Sequence, residues 1–377
     1  MTEQQAQVLL NKEQTEAMRT TEGNLLIVAS AGTGKTTTIV ERYVHLIKNC
    51  GFCPEEILMT TFTNKAAKDM VEKIRKRTQQ IPKYIGTMHS LFLRILRDNS
   101  AEAGIRQNFL LLTEDSDKKK IIREIMTHVG LKPISGDVLY FLDRINRFKN
   151  AGVHYEELEE GSGSGESGNP VQEEIEGEVI RVTPKIKKLG IRVYKEYQKK
   201  LQESNMLDFD DILLLTKRLF EKHEKIRARY SNQFKAIMVD EAQDLNVVQR
   251  NILELLQKNN LCLIGDDCQN IYAWRGASNE LIFTFDKKHK KIILEENYRS
   301  NKEIIDAVNM NIKGLSFKID KKLRCTRERG EKIRIREFSS FDDETDFLVS
   351  EAKRLIQHKE KPEDIAVLFR TNSIGKT

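Results

Sequence analysis

The sequence predicts an α/β fold in which helices cover a parallel β-sheet, a mainly helical insertion interrupts the sheet, and a second α/β unit begins near the end. Three observations carry this reading. Short apolar runs that stop at small or acidic residues alternate with helical patterns, as in parallel sheets buried on both faces. Lysine-rich helical segments replace that alternation between Met88 and Asn205, and after Asn297, beyond the returning strands, a second strand–helix–strand run begins.

In chain order, Leu25–Val28 is a buried-type strand that ends at a small-residue loop, and Lys35–Lys48 has helical periodicity. Ile57–Thr61 repeats the strand and Asn64–Thr78 the helix. Inside the insertion, Ser116–Val129, Val138–Phe148 and Lys185–Gln202 read as long helices, with no convincing buried strand. A flexible loop is expected over residues 156–170, acidic from Glu156 and Gly/Ser-rich from Gly161 to Gly168; it is either natural or an engineered replacement for something longer. Phe234–Val239 and Leu261–Ile264 return as strands. Beyond Asn297, Ile333–Phe338 (strand), Asp342–His358 (helix) and Ile365–Phe369 (strand) amount to about one βαβ unit, whereas a doubly wound domain needs several strands. The second domain is therefore expected to be incomplete. The expected division places the first domain in two stretches, 1–87 and 206–296, on either side of the insertion at 88–205, with the start of the second domain at 297–377.

With 377 residues and 39% hydrophobic content, the chain can bury a large core divided among two or three domains. Its net charge of +6 is modestly basic and permits a polyanionic partner. Five cysteines, with a single Cys50-Gly-Phe-Cys53 and no second pair, support neither a disulfide framework nor a four-ligand zinc site. No apolar run reaches the length of a membrane span, and Met1-Thr-Glu-Gln-Gln does not open a signal peptide. A soluble protein of the reducing cytoplasm is expected.

Ala29-Ser-Ala-Gly-Thr-Gly-Lys-Thr36 lies between strand and helix, where backbone N–H groups and a helix N-terminus can cradle phosphates, Lys35 can reach the β and γ oxygens and Thr36 can ligate Mg²⁺. Ala29 replaces the first glycine of the usual pattern, which the loop tolerates if that residue has no positive φ. Asp240-Glu241 closes an apolar strand, so Asp240 can hold the metal and Glu241 can polarise the attacking water. Gly265–Ala277 joins two chemistries: Gln269 can sense a phosphate and Trp274 can stack on a base. Arg299 can stabilise transition-state charge from the opposing domain; taken alone it would be a surface arginine paired with Glu295 or Glu296.

These segments occur together with TFTNKAA, GTMHS, LDFDD, VDEAQD, ENYRS and FRTN. In that order the set resembles the UvrD/Rep/PcrA branch of superfamily 1 DNA helicases over nearly all of the chain outside the linker-like insert. The resemblance implies a P-loop NTPase with a RecA-like parallel sheet, an inserted α-helical subdomain and an incomplete second RecA-like domain. It implies ATP and Mg²⁺ as cofactors, and translocation 3′ to 5′ on single-stranded DNA and at single-strand/duplex junctions, in a cytoplasmic, nucleoid-associated protein of DNA repair or replication. By the same resemblance Ala31, Gly32, Thr33, Gly34, Lys35, Thr36 and Thr37 surround the phosphates, Gln14 reads adenine and Tyr298 stacks on it. Lys35, Asp240, Glu241, Gln269 and Arg299 match the catalytic positions, with Thr36 and Asp240 on the metal. Phe62, Thr63, Asn64, Thr87 and His89 match backbone contacts to DNA, while Tyr272, Trp274 and Arg275 match the element that couples nucleotide state to bases.

Such residues suit a sequence-tolerant motor, which needs hydroxyls, amides and cations for the backbone and aromatic faces for bases. Phe209, in LDFDD, sits at a helix start where burial is expected. Thr37 stands where the family commonly has an arginine, and Ala242 where it commonly has an aromatic. After Phe369-Arg-Thr-Asn372 no later family motif follows, so the chain is expected to be truncated and weak or inactive alone. The alternative is a natural short protein that binds ATP and single-stranded DNA for regulation or scaffolding without unwinding.

Overall fold

In the computed structural model, residues 9–159, 171–175, 178–272, 276–316 and 318–369 are described. The chain separates into two compact units, 1–329 and 330–377.

The first unit opens with α1 (Lys12–Arg19), β1 (Leu25–Ala29), α2 (Lys35–Cys50), β2 (Ile57–Thr60), α3 (Asn64–Thr78), β3 (Ile85–Gly86) and α4 (Met88–Asp98). The insertion supplies β4 (Leu110–Leu112), α5 (Asp115–His128), α6 (Ser135–Asn150), β5 (Val171–Ile175), β6 (Glu178–Val182), α7 (Pro184–Glu203) and β7 (Met206–Asp208). Next come α8 (Phe209–Lys222), α9 (Glu224–Gln233), β8 (Ala236–Val239), α10 (Val247–Leu256), β9 (Leu261–Gly265), α11 (Glu280–Lys288) and β10 (Lys290–Leu294). β11 (Glu296–Asn297), α12 (Lys302–Lys313) and β12 (Arg324–Cys325) complete the unit.

Six parallel strands form the central sheet in the order β10-β1-β9-β8-β2-β3. Alternate residues of each strand feed opposite faces, as a period of two requires. Leu26, Val28, Leu58, Ile237, Val239 and Leu263 join one core with α4, α8, α10 and α11. Leu25, Ile27, Ala29, Ile57, Met59, Met238 and Ile264 join the other with α2 and α3. The strand and helix positions expected from periodicity in this region are therefore observed, each shifted by no more than two residues.

Three features differ from the sequence reading. Helix α4, which the expected boundary at residue 88 places with the insertion, packs in the sheet's core through Leu91, Phe92 and Ile95; the insertion's own core starts at Leu112. That core also contains Ile175, Ile180 and Val182 from the antiparallel β5–β6 pair, so buried strands are present. They escape periodicity because the pair is short, and Val179 and Arg181 face outward between the buried positions. Of the expected 156–170 loop, Tyr155–Glu157 forms a 3-10 turn, and 160–170 lie outside the described residues.

The insertion is fastened to the sheet domain by a buried charge cluster. Lys149 on α6 is fully buried and donates to Asp208 at 2.6 Å and to Gln198 on α7 at 2.9 Å, and forms an ion pair with Asp211 at 2.8 Å. Asp208 caps α8 in a reciprocal capping box with Asp211. Burial, and then the neighbouring Asp208, pushes the Asp211 carboxyl up to about 7.

In the second unit, α13 (Phe341–Gln357) forms as expected, capped by Ser340. Ile333–Phe338 and Ile365–Phe369 are not strands, and Ile335 and Leu368 are each 93% exposed. A strand persists only beside a partner that completes its hydrogen-bond ladder, and among the described residues none lies alongside. No helix of the described residues is long and apolar enough to cross a membrane.

Candidate functional site

Parallel strands aim all their C-terminal ends at one edge of the sheet, where ligands bind in open α/β folds. Every described candidate that follows a strand lies at this edge. β1 runs into Ser30–Gly34, β8 into Asp240-Glu241, β9 into Asp266-Asp267, β2 into Thr61–Asn64 and β3 into Thr87–His89. In sheet order, the phosphate candidates occupy β1, β9 and β8, and the backbone-contact candidates the adjoining β2 and β3.

The loop after β1 is shaped for phosphate. Ala29 ends the strand with a negative φ, so this position does not need the usual glycine. Gly32 and Gly34 have φ of +80° and +85°, where L side chains are strained. A Cβ on Gly32 would come within 2.7 Å of Arg299 Cβ and of Asn297 Nδ2, and one on Gly34 within 2.5 Å of Gln14 Nε2. Thr33 is buried and donates its hydroxyl to Ser30 O at 2.7 Å, pinning the turn. Lys35 starts α2, with Thr36 exposed and Thr37 half-buried behind it.

The acidic pair meets the lysine. Lys35 Nζ donates to Glu241 Oε2 at 2.7 Å, and Gln243 Nε2 donates to the same oxygen at 2.7 Å. Glu241 has φ +54°, ψ +46°, an uncommon backbone for a non-glycine residue that turns its side chain toward the lysine. Asp240 is 7% exposed; Thr61 Oγ1 donates to its Oδ2 at 3.3 Å, while Oδ1 has no hydrogen-bond partner among the described residues. Burial, followed by Glu241, pushes the Asp240 carboxyl up to about 6, and Asp244 is raised to about 6 by the same two causes. A buried acceptor without a donor beside a glycine cradle fits a divalent cation, because cation charge would relieve the cost of an ionised, desolvated carboxylate.

The base side is tied to this loop. Gln14 Nε2 donates to Thr33 O at 3.0 Å, and its Oε1 accepts from Asn11 N at 3.1 Å within the α1 capping box. Tyr298 N donates to Gly32 O at 2.9 Å, and Asn297 Nδ2 to Ala31 O at 2.7 Å. The Tyr298 hydroxyl donates to Glu296 Oε2 at 2.7 Å and accepts from Asn11 Nδ2 at 3.0 Å, leaving the ring 41% exposed. Arg299 is exposed; Glu295 and Glu296 pair with Arg324 instead. Gln269 Nε2 donates to Asp266 Oδ2 at 2.6 Å.

Two aromatic pairs mark the β2–β3 side. Phe62, 44% exposed, stacks on Tyr272 with ring centroids 4.7 Å apart, and His89 stacks on Phe209 at 4.2 Å. Phe209 is 46% exposed rather than buried. The two aspartates of the capping box, Asp208 and Asp211, take the inward positions of this helix start and leave Phe209 facing out. Thr63 and Thr87 cap α3 and α4 with their hydroxyls, and Asn64 is exposed. Trp274 and Arg275 lie outside the described residues, as do the last three residues of FRTN. Ala242 is fully buried in the sheet core, where it leaves the acidic pair untouched.

Sequence reasoning missed Asn11, Gln243, Asn297 and Lys321. Gln243 and Asn297 lie inside recognised segments, VDEAQD and ENYRS, and could have been found there; Asn11 is marked locally only as a helix cap, by the Asn11-x-x-Gln14 spacing, and nothing local marks Lys321.

The sequence pattern of the UvrD/REP helicase N-terminal domain matches residues 10–290, and that of the UvrD-like helicase C-terminal domain matches residues 292–377. The chain is 35% identical over 371 residues to the ATP-dependent DNA helicase PcrA of Staphylococcus aureus, covering 97% of this chain and 48% of that protein. It is 34% identical to the ATP-dependent DNA helicase PcrA of Staphylococcus epidermidis over the same 371 residues, with the same two coverages. The chain thus spans about half the length of the curated relatives it matches.

Proposed function

Because the chain belongs to the UvrD/REP helicase family, we propose that it is the leading portion of an ATP-dependent motor that moves 3′ to 5′ on single-stranded DNA and unwinds duplex at junctions. The observation that carries this reading is the shared sheet edge: a phosphate cradle and an acidic pair after β1 and β8, beside two aromatic pairs in which Phe62 after β2 and His89 after β3 each take part, one ring of each pair being exposed.

In this reading Gln14 and Tyr298 hold adenine, and the 31–37 loop holds the phosphates with backbone N–H groups and the α2 N-terminus. Lys35 leaves Glu241 to meet the β- and γ-phosphates, which frees the Glu241 carboxylate to orient and deprotonate the attacking water. Thr36 and Asp240 would hold Mg²⁺, which when bound neutralises phosphate charge. Gln269 senses the γ-phosphate, and Arg299 offers charge to the transition state. Tyr272, Trp274 and Arg275 couple nucleotide state to the bases, Trp274 by stacking; Phe62, Thr63, Asn64, Thr87 and His89 contact the strand's backbone. Family membership and the activity named for the relatives support ATP and DNA as ligands.

Paired variants test the division of labour. Gln269→Ala should leave oligothymidylate binding nearly intact and lower strand-stimulated ATP hydrolysis. Trp274→Ala should weaken strand binding by roughly 1–3 kcal/mol. Equal loss of both activities in both variants contradicts separate roles.

A further inference from the structure

Gln269 is not aimed by its own loop alone. Its carboxamide nitrogen donates to Asp266 Oδ2, and the other oxygen of that carboxylate accepts from Lys321 Nζ at 2.5 Å and from Cys268 N at 3.1 Å. Lys321 also pairs with Asp267, whose second oxygen accepts from Ile319 N at 2.8 Å. Lys321, Asp266 and Asp267 are essentially buried. Asp266, Asp267 and Cys268 are close enough together to suggest a cation site, but the Lys321 ammonium is the cation there. Burial opposes charge on Asp266, yet Lys321 holds its carboxyl below the ordinary value.

Lys321 comes from a stretch far along the chain. Ile319 and Leu323 are buried, Ile319 in the sheet's own core, and β12 pairs with β11 next to Tyr298. On the other side, Asp266 N donates to Gln243 Oε1, and Gln243 donates to Glu241, the partner of Lys35. Hydrogen bonds therefore run without a break from the phosphate-loop lysine through Glu241, Gln243 and Asp266 to Lys321.

We propose that Lys321 is a positioning residue of the nucleotide site: by fixing the Asp266 carboxylate it sets the aim of the Gln269 carboxamide, and it brings the 318–325 segment into the coupling between nucleotide and strand. The inference rests on the functional reading above. An ionised Asp266 accepts only, so Gln269 must present its nitrogen to it and turn its oxygen away. Without Lys321, two adjacent buried carboxylates cannot both remain ionised. A protonated Asp266 donates instead, and the carboxamide turns over.

The test uses the single tryptophan of the chain, Trp274, five residues beyond Gln269, as an emission probe. Saturating Mg²⁺ with the β,γ-imido analogue of ATP should change its emission in the wild-type chain. Lys321→Met should shrink that change by at least about fivefold, the lower end of typical coupling, while affinity for a fluorescent ATP analogue stays within about twofold because no binding group is removed. Lys321→Met combined with Asp267→Asn keeps the cluster's net charge and removes the neighbouring carboxylate whose repulsion drives a proton onto Asp266, so it should recover most of the change; if the single variant does not fold, this one decides. A wild-type emission change in Lys321→Met overturns the positioning role. So does loss of nucleotide affinity in step with melting temperature and without recovery in the double variant, which marks a purely structural residue. A wild-type chain that binds the analogue with no emission change overturns the functional reading of residues 265–277, and the positioning role with it.

Discussion

Glu241→Gln separates the two jobs proposed for one carboxylate, pairing with Lys35 and activating water. Lys35 pairs with Glu241 at 2.7 Å, with the two side chains 12% and 30% exposed. In the proposed mechanism nucleotide binding breaks that pair. An ion pair at this exposure is worth about 1 kcal/mol, and glutamine keeps the shape and one acceptor while removing the charge. Releasing the lysine should therefore tighten nucleotide affinity by about fivefold, since 1.4 kcal/mol is tenfold. Hydrolysis should fall by about 10²–10⁴-fold, the usual contribution of a positioned base. The left-handed backbone at this position burdens glutamate and glutamine alike, so the fold should be unaffected. Glu241→Gly also loses hydrolysis, but relief of that backbone adds roughly 1–2 kcal/mol of stability. Anisotropy of a fluorescent ATP analogue and a phosphate-release assay measure the two effects. Weaker nucleotide binding in Glu241→Gln, or hydrolysis within tenfold of wild type, would refute the assigned roles.

Lys149→Met leaves Asp208 and Asp211 buried without their cation and should cost about 3–5 kcal/mol of stability, read by urea unfolding; adding Asp211→Asn should restore some of it, and a loss below 1 kcal/mol contradicts the fastening role of the cluster. Acidity should act on Asp240 in two ways. Its carboxyl is raised from 3.8 to about 6, so the folded protein holds this proton more tightly than the unfolded chain, and the associated stability is present below 3.8 and lost as pH rises through about 6. Asp240→Asn should therefore gain stability over wild type between pH 4 and 7, approaching roughly 3 kcal/mol at 1.36 kcal/mol per pH unit. Affinity for Mg²⁺-nucleotide in the wild type should weaken as pH falls below 6, because the metal needs the ionised carboxylate. A pH-independent difference between the two proteins contradicts this.

Much of the sheet was legible because its strands, buried on both faces, are continuous apolar runs, and because the turns after them carry chemistry at fixed spacing. Ser30–Thr36 and Asp240-Glu241 follow β1 and β8 where the alternation puts them. Local patterning cannot report what depends on distant partners. Asn11 meets Tyr298 across 287 positions, and Lys321 meets Asp266 across 55. Phe209 reads as core by composition, but a capping box takes the inward positions and leaves the ring against His89. Ile333–Phe338 has the alternation of a strand with no neighbour to complete it among the described residues. Helix α4 lies within the stretch assigned to the insertion but carries the apolar face of the sheet domain, and packing follows the face.

In the proposed motor, nucleotide chemistry at the β1–β8 end of the sheet edge answers to a strand at the β2–β3 end. ATP hydrolysis with and without oligothymidylate, on this chain and on one carried past Thr377, tests it most directly. Weak hydrolysis by the 377-residue chain and strong stimulation by the single strand in the longer one are expected. Hydrolysis in the longer chain that is indifferent to the strand would contradict it.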